Sequence, residues 1–226
     1  MQYKIFGDSL PAVSLRLKAG ESVITQSGGM TWMSDQFSMD TNMRGGFGGA
    51  LGRMITGESL FTATYTARAD NAEITFASSF PGSIVALKLD GTKEYICQKN
   101  AFLCATSGIN LSVAVNRARA GLFGGEGFIM QRLSGTGMVF LEIDGTAVEH
   151  QLSAGETLKI DTGNLAIYES TVDYTTETVK GFKNVLFGGE GLFLSVVRGP
   201  GKVWLQTMNI HNFVGKISQY MPTKGD

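Results

Sequence analysis

The 226 residues include two cysteines, two histidines and four prolines, which removes several kinds of chemistry before any motif is considered. With only His150 and His211 present, a histidine-rich zinc site cannot form within the chain, and Cys97 and Cys104, with six residues between them, lack the two-residue spacing of a zinc knuckle. No metal and no cofactor are expected. So few cysteines also speak against a disulfide-stapled secreted fold, so the pair is read as buried thiols in a hairpin under reducing conditions. Cys104 with His150 as its base is the one nucleophile pairing the composition offers, and nothing in the local sequence supports it. No apolar run approaches the length of a membrane span, and the opening residues 1–8 contain no apolar targeting segment, so cytoplasmic residence is expected. A net charge of −1 without a basic run argues against a nucleic-acid partner.

What the chain does contain is apolar residues at 43%, charged residues at 17% and 30 glycines. The first two figures describe a folded protein. The glycines follow no collagen period, so they point to many tight turns between short strands.

Repetition organises the rest. Residues 122–142 and 186–206 align without a gap at a period of 64, with 10 of 21 positions identical and both beginning Leu-Phe-Gly-Gly-Glu-Gly. A looser copy runs from Arg44 to Phe76, where Ile74-Thr75-Phe76 stands for Val139-Phe140-Leu141. A second motif pairs Leu17, Gly20 and Glu21 with Leu152, Gly155 and Glu156. Alternation of apolar and polar residues between glycine breaks marks short strands, and Leu89-Asp90-Gly91-Thr92 and Ile143-Asp144-Gly145-Thr146 carry the Asp-Gly signal of hairpins. Only residues 210–220 show a helical period, which Gly215 weakens. The expected architecture is all-β: one compact domain of three tandem β-sandwich or short double-stranded β-helix units, roughly 1–79, 80–138 and 139–226, arranged with pseudo-threefold symmetry.

The glycine-rich stretches do not make nucleotide sites. Gly46-Phe47-Gly48-Gly49-Ala50-Leu51-Gly52 precedes no helix, and Phe123-Gly124-Gly125-Glu126-Gly127 lacks the Gly-Lys-Ser/Thr ending of a phosphate loop. Glu21, Glu58, Glu126, Glu156 and Glu190 recur at equivalent positions, and such repetition suits carboxylates that accept backbone N–H bonds in turns better than an acid–base pair. What the stretches share is apolar residues beside cations. Arg44, Phe47, Leu51 and Arg53 stand in the first, Arg117, Arg119, Leu122 and Phe123 in the second, and Lys180, Lys183, Leu186 and Phe187 in the third. Gathered at one end and exposed, they would suit a protein partner or an anionic membrane surface. Turned inward, Phe123 and Phe187 would instead fill a pseudo-threefold axis.

On the doubled Leu-Phe-Gly-Gly-Glu-Gly at 122–127 and 186–191, the Leu-x-Ala-Gly-Glu at 17–21 and 152–156, and nearly full-length coverage, the chain resembles the bacterial branch of the altered-inheritance-of-mitochondria family. The resemblance implies three units similar in fold to the tryptophan RNA-binding attenuation protein. It carries over neither RNA nor tryptophan binding, because no binding residue of that protein matches this chain. Mitochondrial members of the family are associated with the inner membrane and its organisation. The expected function is a non-enzymatic scaffold or adaptor, peripheral at a membrane through the glycine-rich segments, with a small-ligand-binding protein as the alternative. Three units in one chain suit either a monomer or a low-order homo-oligomer.

Overall fold

The structure, a computed structural model, describes residues 1–26, 29–41, 62–114, 129–178 and 193–221. Among these the chain is antiparallel β with one short α-helix. A leading strand, β1 (Gln2–Phe6), precedes three successive sets. The first is β2 (Ala12–Leu17), β3 (Ser22–Gln26), β4 (Met30–Met33), β5 (Phe37–Asp40), β6 (Thr62–Ala67) and β7 (Ala72–Ala77). The second is β8 (Gly82–Asp90), β9 (Tyr95–Gln98), β10 (Phe102–Thr106), β11 (Ile109–Ala114) and the long β12 (Met130–Asp144). The third is β13 (Ala147–Leu152), β14 (Thr157–Asp161), β15 (Leu165–Glu169), β16 (Asp173–Thr178), β17 (Phe193–Arg198) and β18 (Gly201–Gln206), followed by α1 (Ile210–Ser218).

One pattern of four pairings occurs in every set. The first strand pairs with the last, as β2·β7, β8·β12 and β13·β18. The second pairs with the fifth, as β3·β6, β9·β12 and β14·β17. The third pairs with the last, as β4·β7, β10·β12 and β15·β18, each time with a register shift at the same place: Met30/Trp32, Phe102/Cys104 and Leu165/Ile167. The fourth pairs with the fifth, as β5·β6, β11·β12 and β16·β17. In the second set β12 plays two parts, because residues 130–135 pair with β9 and β11 while residues 136–144 pair with β8. A strand that leaves one sheet for another must bend, and the repeated glycines mark where it does. Gly137 and Gly201 have φ of +149° and +147°, and a Cβ there would lie 2.0 Å from the Thr106 hydroxyl oxygen and 2.6 Å from that of Thr171.

The sets are joined by shared sheets. β10 pairs with β3 as Cys104 to Thr25, Ala105 to Ile24 and Thr106 to Val23. β15 pairs with β9 in the same relative register, as Ile167 to Cys97, Tyr168 to Ile96 and Glu169 to Tyr95. In each joint the third strand of one set extends the second strand of the set before it. Among the described residues β4 and β14 each pair on one side only, so the third joint, which a closed threefold ring would require, is not made. A boundary at 138/139 falls within β12, whereas the pairing groups residues 12–77, 82–144 and 147–206.

Sharing a sheet puts a core on each of its faces. The first core holds Val13, Leu15, Val23, Ile74, Phe76, Cys104 and Phe140; the second holds Ile24, Tyr95, Cys97, Phe102, Val139, Leu141, Ile167 and Trp204; the third holds Ile96, Leu165, Tyr168, Val197 and Val203. Alternate residues of β12 thus enter different cores, as the two-residue period of a strand requires. Strands buried on both faces read as unbroken apolar runs, Phe102-Leu103-Cys104-Ala105 and Leu165-Ala166-Ile167-Tyr168 among them. β2 lies in an outer sheet and alternates, with Leu15 and Leu17 inward and Arg16 exposed.

Two sequence expectations are corrected by this topology. Neither Asp-Gly pair closes a hairpin: β8 and β9 both pair with β12, and β13 pairs with β18 rather than β12. Gly91 and Gly145 do supply the positive φ that such pairs favour, +90° and +71°, but they use it to turn the chain between ladders. Cys97 and Cys104 do not share a hairpin either, since β9 and β10 do not pair with each other and the two thiols lie in different cores.

Phe140 has no exposed surface, sits in the first core and meets Tyr3 edge-on at 5.0 Å between ring centroids. Phe140→Ala is expected to cost about 3–5 kcal/mol in chemical denaturation. Arg16→Ala, whose side chain lies on an outer face in an exposed pair with Glu73, should stay within about 0.5 kcal/mol of wild type.

Candidate functional site

The three glycine-rich segments occupy one topological position. Each lies in the chain between the fourth and fifth strands of its set, whose flanking residues pair as Asp40 to Thr64, Ala114 to Met130 and Thr178 to Phe193. The candidate surface residues Arg44, Phe47, Leu51, Arg53, Arg117, Arg119, Leu122, Phe123, Lys180, Lys183, Leu186 and Phe187 all lie outside the described residues, as do Glu58, Glu126 and Glu190.

The remaining two repeated carboxylates are turn closures. Glu21 accepts the Lys18 N–H at 2.8 Å, and Glu156 accepts the Ser153 N–H at the same distance. The two turns match further, because Gly20 N–H donates to Ala67 and Gly155 N–H to Gly199, both to backbone oxygens. Glu21 also takes the terminal ammonium of Met1 at 3.2 Å. The Lys18 N–H, aided by that ammonium, holds the Glu21 carboxyl below its ordinary value of 4.5 against the opposing effect of partial burial. A carboxyl whose folded pKa is lowered stabilises the fold above its unfolded pKa, and that contribution is lost as pH falls through the folded value. Glu21→Gln should therefore lower the melting temperature at neutral pH and flatten its fall below about pH 4.5, measured by thermal scans across pH.

The pairing of Cys104 with His150 is not assembled. Cys104 is fully buried in the first core, and His150 stands exposed on β13. Burial pushes the Cys97 thiol up to about 12 and that of Cys104 well above its ordinary value, so neither presents a thiolate near neutral pH. A disulfide reagent is expected to leave both thiols untouched in the native protein and to titrate both in denaturant.

A small cavity of about 70 Å³ opens where the second and third sets meet, lined by Gln98, Asn100, Glu142, Asp144, Gln206 and Ile210 among others. Its walls are tied together by amides. Gln98 Nε2 donates to the backbone oxygen of Leu165 at 2.7 Å and Gln206 Nε2 to that of Gly163 at 2.8 Å, while Glu142 accepts the Ser79 N–H at 2.7 Å. These are bonds that close corners, and the volume is far below the roughly 300 Å³ at which small-molecule sites begin.

The feature that sequence reasoning undervalued is an apolar surface. Helix α1 exposes Phe213, Val214 and Ile217, followed by Tyr220 and Met221, and Phe213 meets Phe80 edge-on at 5.2 Å. Spacings of three and four residues place the first three on one face. The helical period at 210–220 was the signal, and Gly215 masked its strength; in the structure Gly215 has open space around it and breaks nothing. Elsewhere Trp32 is 51% exposed beside Phe6, at 6.5 Å between ring centroids. Among the described residues no helix is long and apolar enough to cross a membrane.

Fold and surface together define an all-β protein of shared antiparallel sheets that exposes apolar side chains. The chain belongs to the family described as mitochondrial biogenesis AIM24, whose model matches residues 3–208. It is 31% identical over 225 residues to an uncharacterised protein of Streptococcus pyogenes serotype M6, a match spanning 96% of this chain and 89% of that protein. The crystal structure of a Streptococcus pyogenes protein has the same fold, with a TM-score of 0.79, 27% identity and coverage of 97% of this chain and 99% of that one.

Proposed function

We propose that the chain is a non-enzymatic scaffold that docks peripherally on an anionic membrane surface, using the apolar face of α1 together with the glycine-rich segments. The observation that carries the reading is the exposed row of Phe213, Val214, Ile217, Tyr220 and Met221 at the end of the described chain. An amphipathic helix seated at a lipid interface buries such a face while its polar side stays wet, and aromatic residues favour that depth. Lys216 on the same helix, and the cations of the glycine-rich segments, supply attraction to anionic headgroups. Small-ligand binding draws no support from the cavity between the second and third sets, which has room for a few waters only.

The test is co-sedimentation with phosphatidylserine-containing and pure phosphatidylcholine vesicles. Wild type should pellet with the anionic vesicles. Val214→Asp/Ile217→Asp should weaken binding about tenfold or more, since each substitution forfeits the transfer of one aliphatic side chain. Phe123→Asp/Phe187→Asp tests the glycine-rich segments in the same assay. Wild type remaining in the supernatant would leave a protein partner as the occupant of this surface and remove the membrane.

A further inference from the structure

We propose that copies of this chain associate head to tail, the β4 edge of one copy completing the β14 edge of the next with the joint that already links the three units internally. Each internal joint adds the third strand of one set to the second strand of the preceding set, and the two joints share a register. Two half-joints remain, a third strand at the first end and a second strand at the last, and among the described residues both are edges. They are complementary by construction.

The pairings fix the register of the missing joint. Trp32 faces Thr75 across β7 as Cys104 faces Phe140 and Ile167 faces Trp204, so Trp32, Cys104 and Ile167 are equivalent. At the other edge Ile160 lies opposite Ser195 as Cys97 lies opposite Gln131, the two partners being one 64-residue period apart. Trp32 would then stand across from Ile160, Met33 from Lys159, and Ser34 from Leu158.

Burial says what this register does. Cys104 extends the preceding set's sheet and sits in the first core, and Ile167 does the same in the second; both are fully buried. Trp32 holds the same position with no set before it, and it is 51% exposed. At the far end Ile160 and Leu158 face the third core, where Leu158 and Tyr174 are only partly covered. The proposed joint lays the exposed indole beside those side chains. An edge left open beside an apolar residue is an invitation to strand addition, and a second copy carries the matching edge.

The joint between copies is built weaker than the internal ones. Lys159 stands where Ile24 and Ile96 enter the next core, and its Nζ is held by Glu177 at 2.6 Å. A charge at this position opposes burial and makes association reversible and concentration-dependent. Contacts between unlike surfaces build rings when the rotation per step closes and open chains when it does not.

Three measurements on the full chain test this. Wild type should gain mass with concentration in light scattering after gel filtration, with Trp32 becoming less accessible to a soluble quencher as it does so. Lys159→Ile, an exposed site whose change endangers no core, should strengthen association tenfold or more, whereas Thr31→Pro in β4 should abolish it. When Met33→Cys and Lys159→Cys single variants are mixed, disulfide-linked dimers should form, while Met33→Cys mixed with the out-of-register Thr157→Cys should give none; the native thiols are buried and do not interfere. A protein monomeric at every concentration, in wild type and Lys159→Ile alike, overturns the proposal. So does a Met33→Cys/Lys159→Cys double variant that links only within one chain, since that would mean the two edges close on each other.

Discussion

The backbone ladder between a third strand and the second strand of the preceding set is the interaction on which the rest of the molecule depends. Through β10·β3 and β15·β9 one sheet serves two units, so each unit borrows a wall from its neighbour. A lone first unit would leave Ile24 facing water, because the core it enters is built by Tyr95, Cys97, Phe102 and Leu141 of the second set and completed by Ile167 and Trp204 of the third. Units that cannot cover their own faces must stack, and the exposed ends of the stack become the parts of the surface with the most unfinished chemistry.

Those ends are unlike. At the last end Lys159, paired with Glu177, stands where the other two sets carry the core residues Ile24 and Ile96, a charge that keeps an outer sheet soluble. At the first end Arg16, Glu73 and Ser14 form a polar cluster on the outer face of β2 and β7, but Trp32 and Phe6 leave an aromatic pair beside the β4 edge. Among the described residues, apolar side chains are exposed on β1 and at the β4 edge, with Tyr3, Ile5, Phe6 and Trp32, and along α1. Exposed apolar surfaces of this kind are places where proteins commonly meet partners.

The repeated motifs acquire structural duties in this light. Glu21 and Glu156 each tie a turn at the end of a first strand, and Gly137 and Gly201 let the chain cross from one sheet to another where a side chain would collide with a threonine hydroxyl. Both duties recur because the unit recurs. A catalytic group would have no reason to appear at each copy of a turn.

How much was legible follows from the range over which each signal acts. Period-two alternation and glycine punctuation are local, and from them the all-β class, the short strands and the equivalence of Ile74-Thr75-Phe76 with Val139-Phe140-Leu141 could be read; the ladders align Thr75 with Phe140 and, 64 residues further on, Phe140 with Trp204. The helix at α1 was visible as a period and hidden by one glycine. The apolar residues and the cations beside them in the glycine-rich segments were read as a surface from composition alone, and they lie outside the described residues. What sequence alone determined was that a unit repeats and which residues in it point alternately to two sides. Only the tertiary structure decided that those two sides belong to different cores, that Asp90-Gly91 and Asp144-Gly145 turn corners instead of closing hairpins, and that Trp32 and the apolar residues of α1 are exposed. Strand pairing and face burial join residues dozens of positions apart, and no local pattern states which neighbour will supply the other wall.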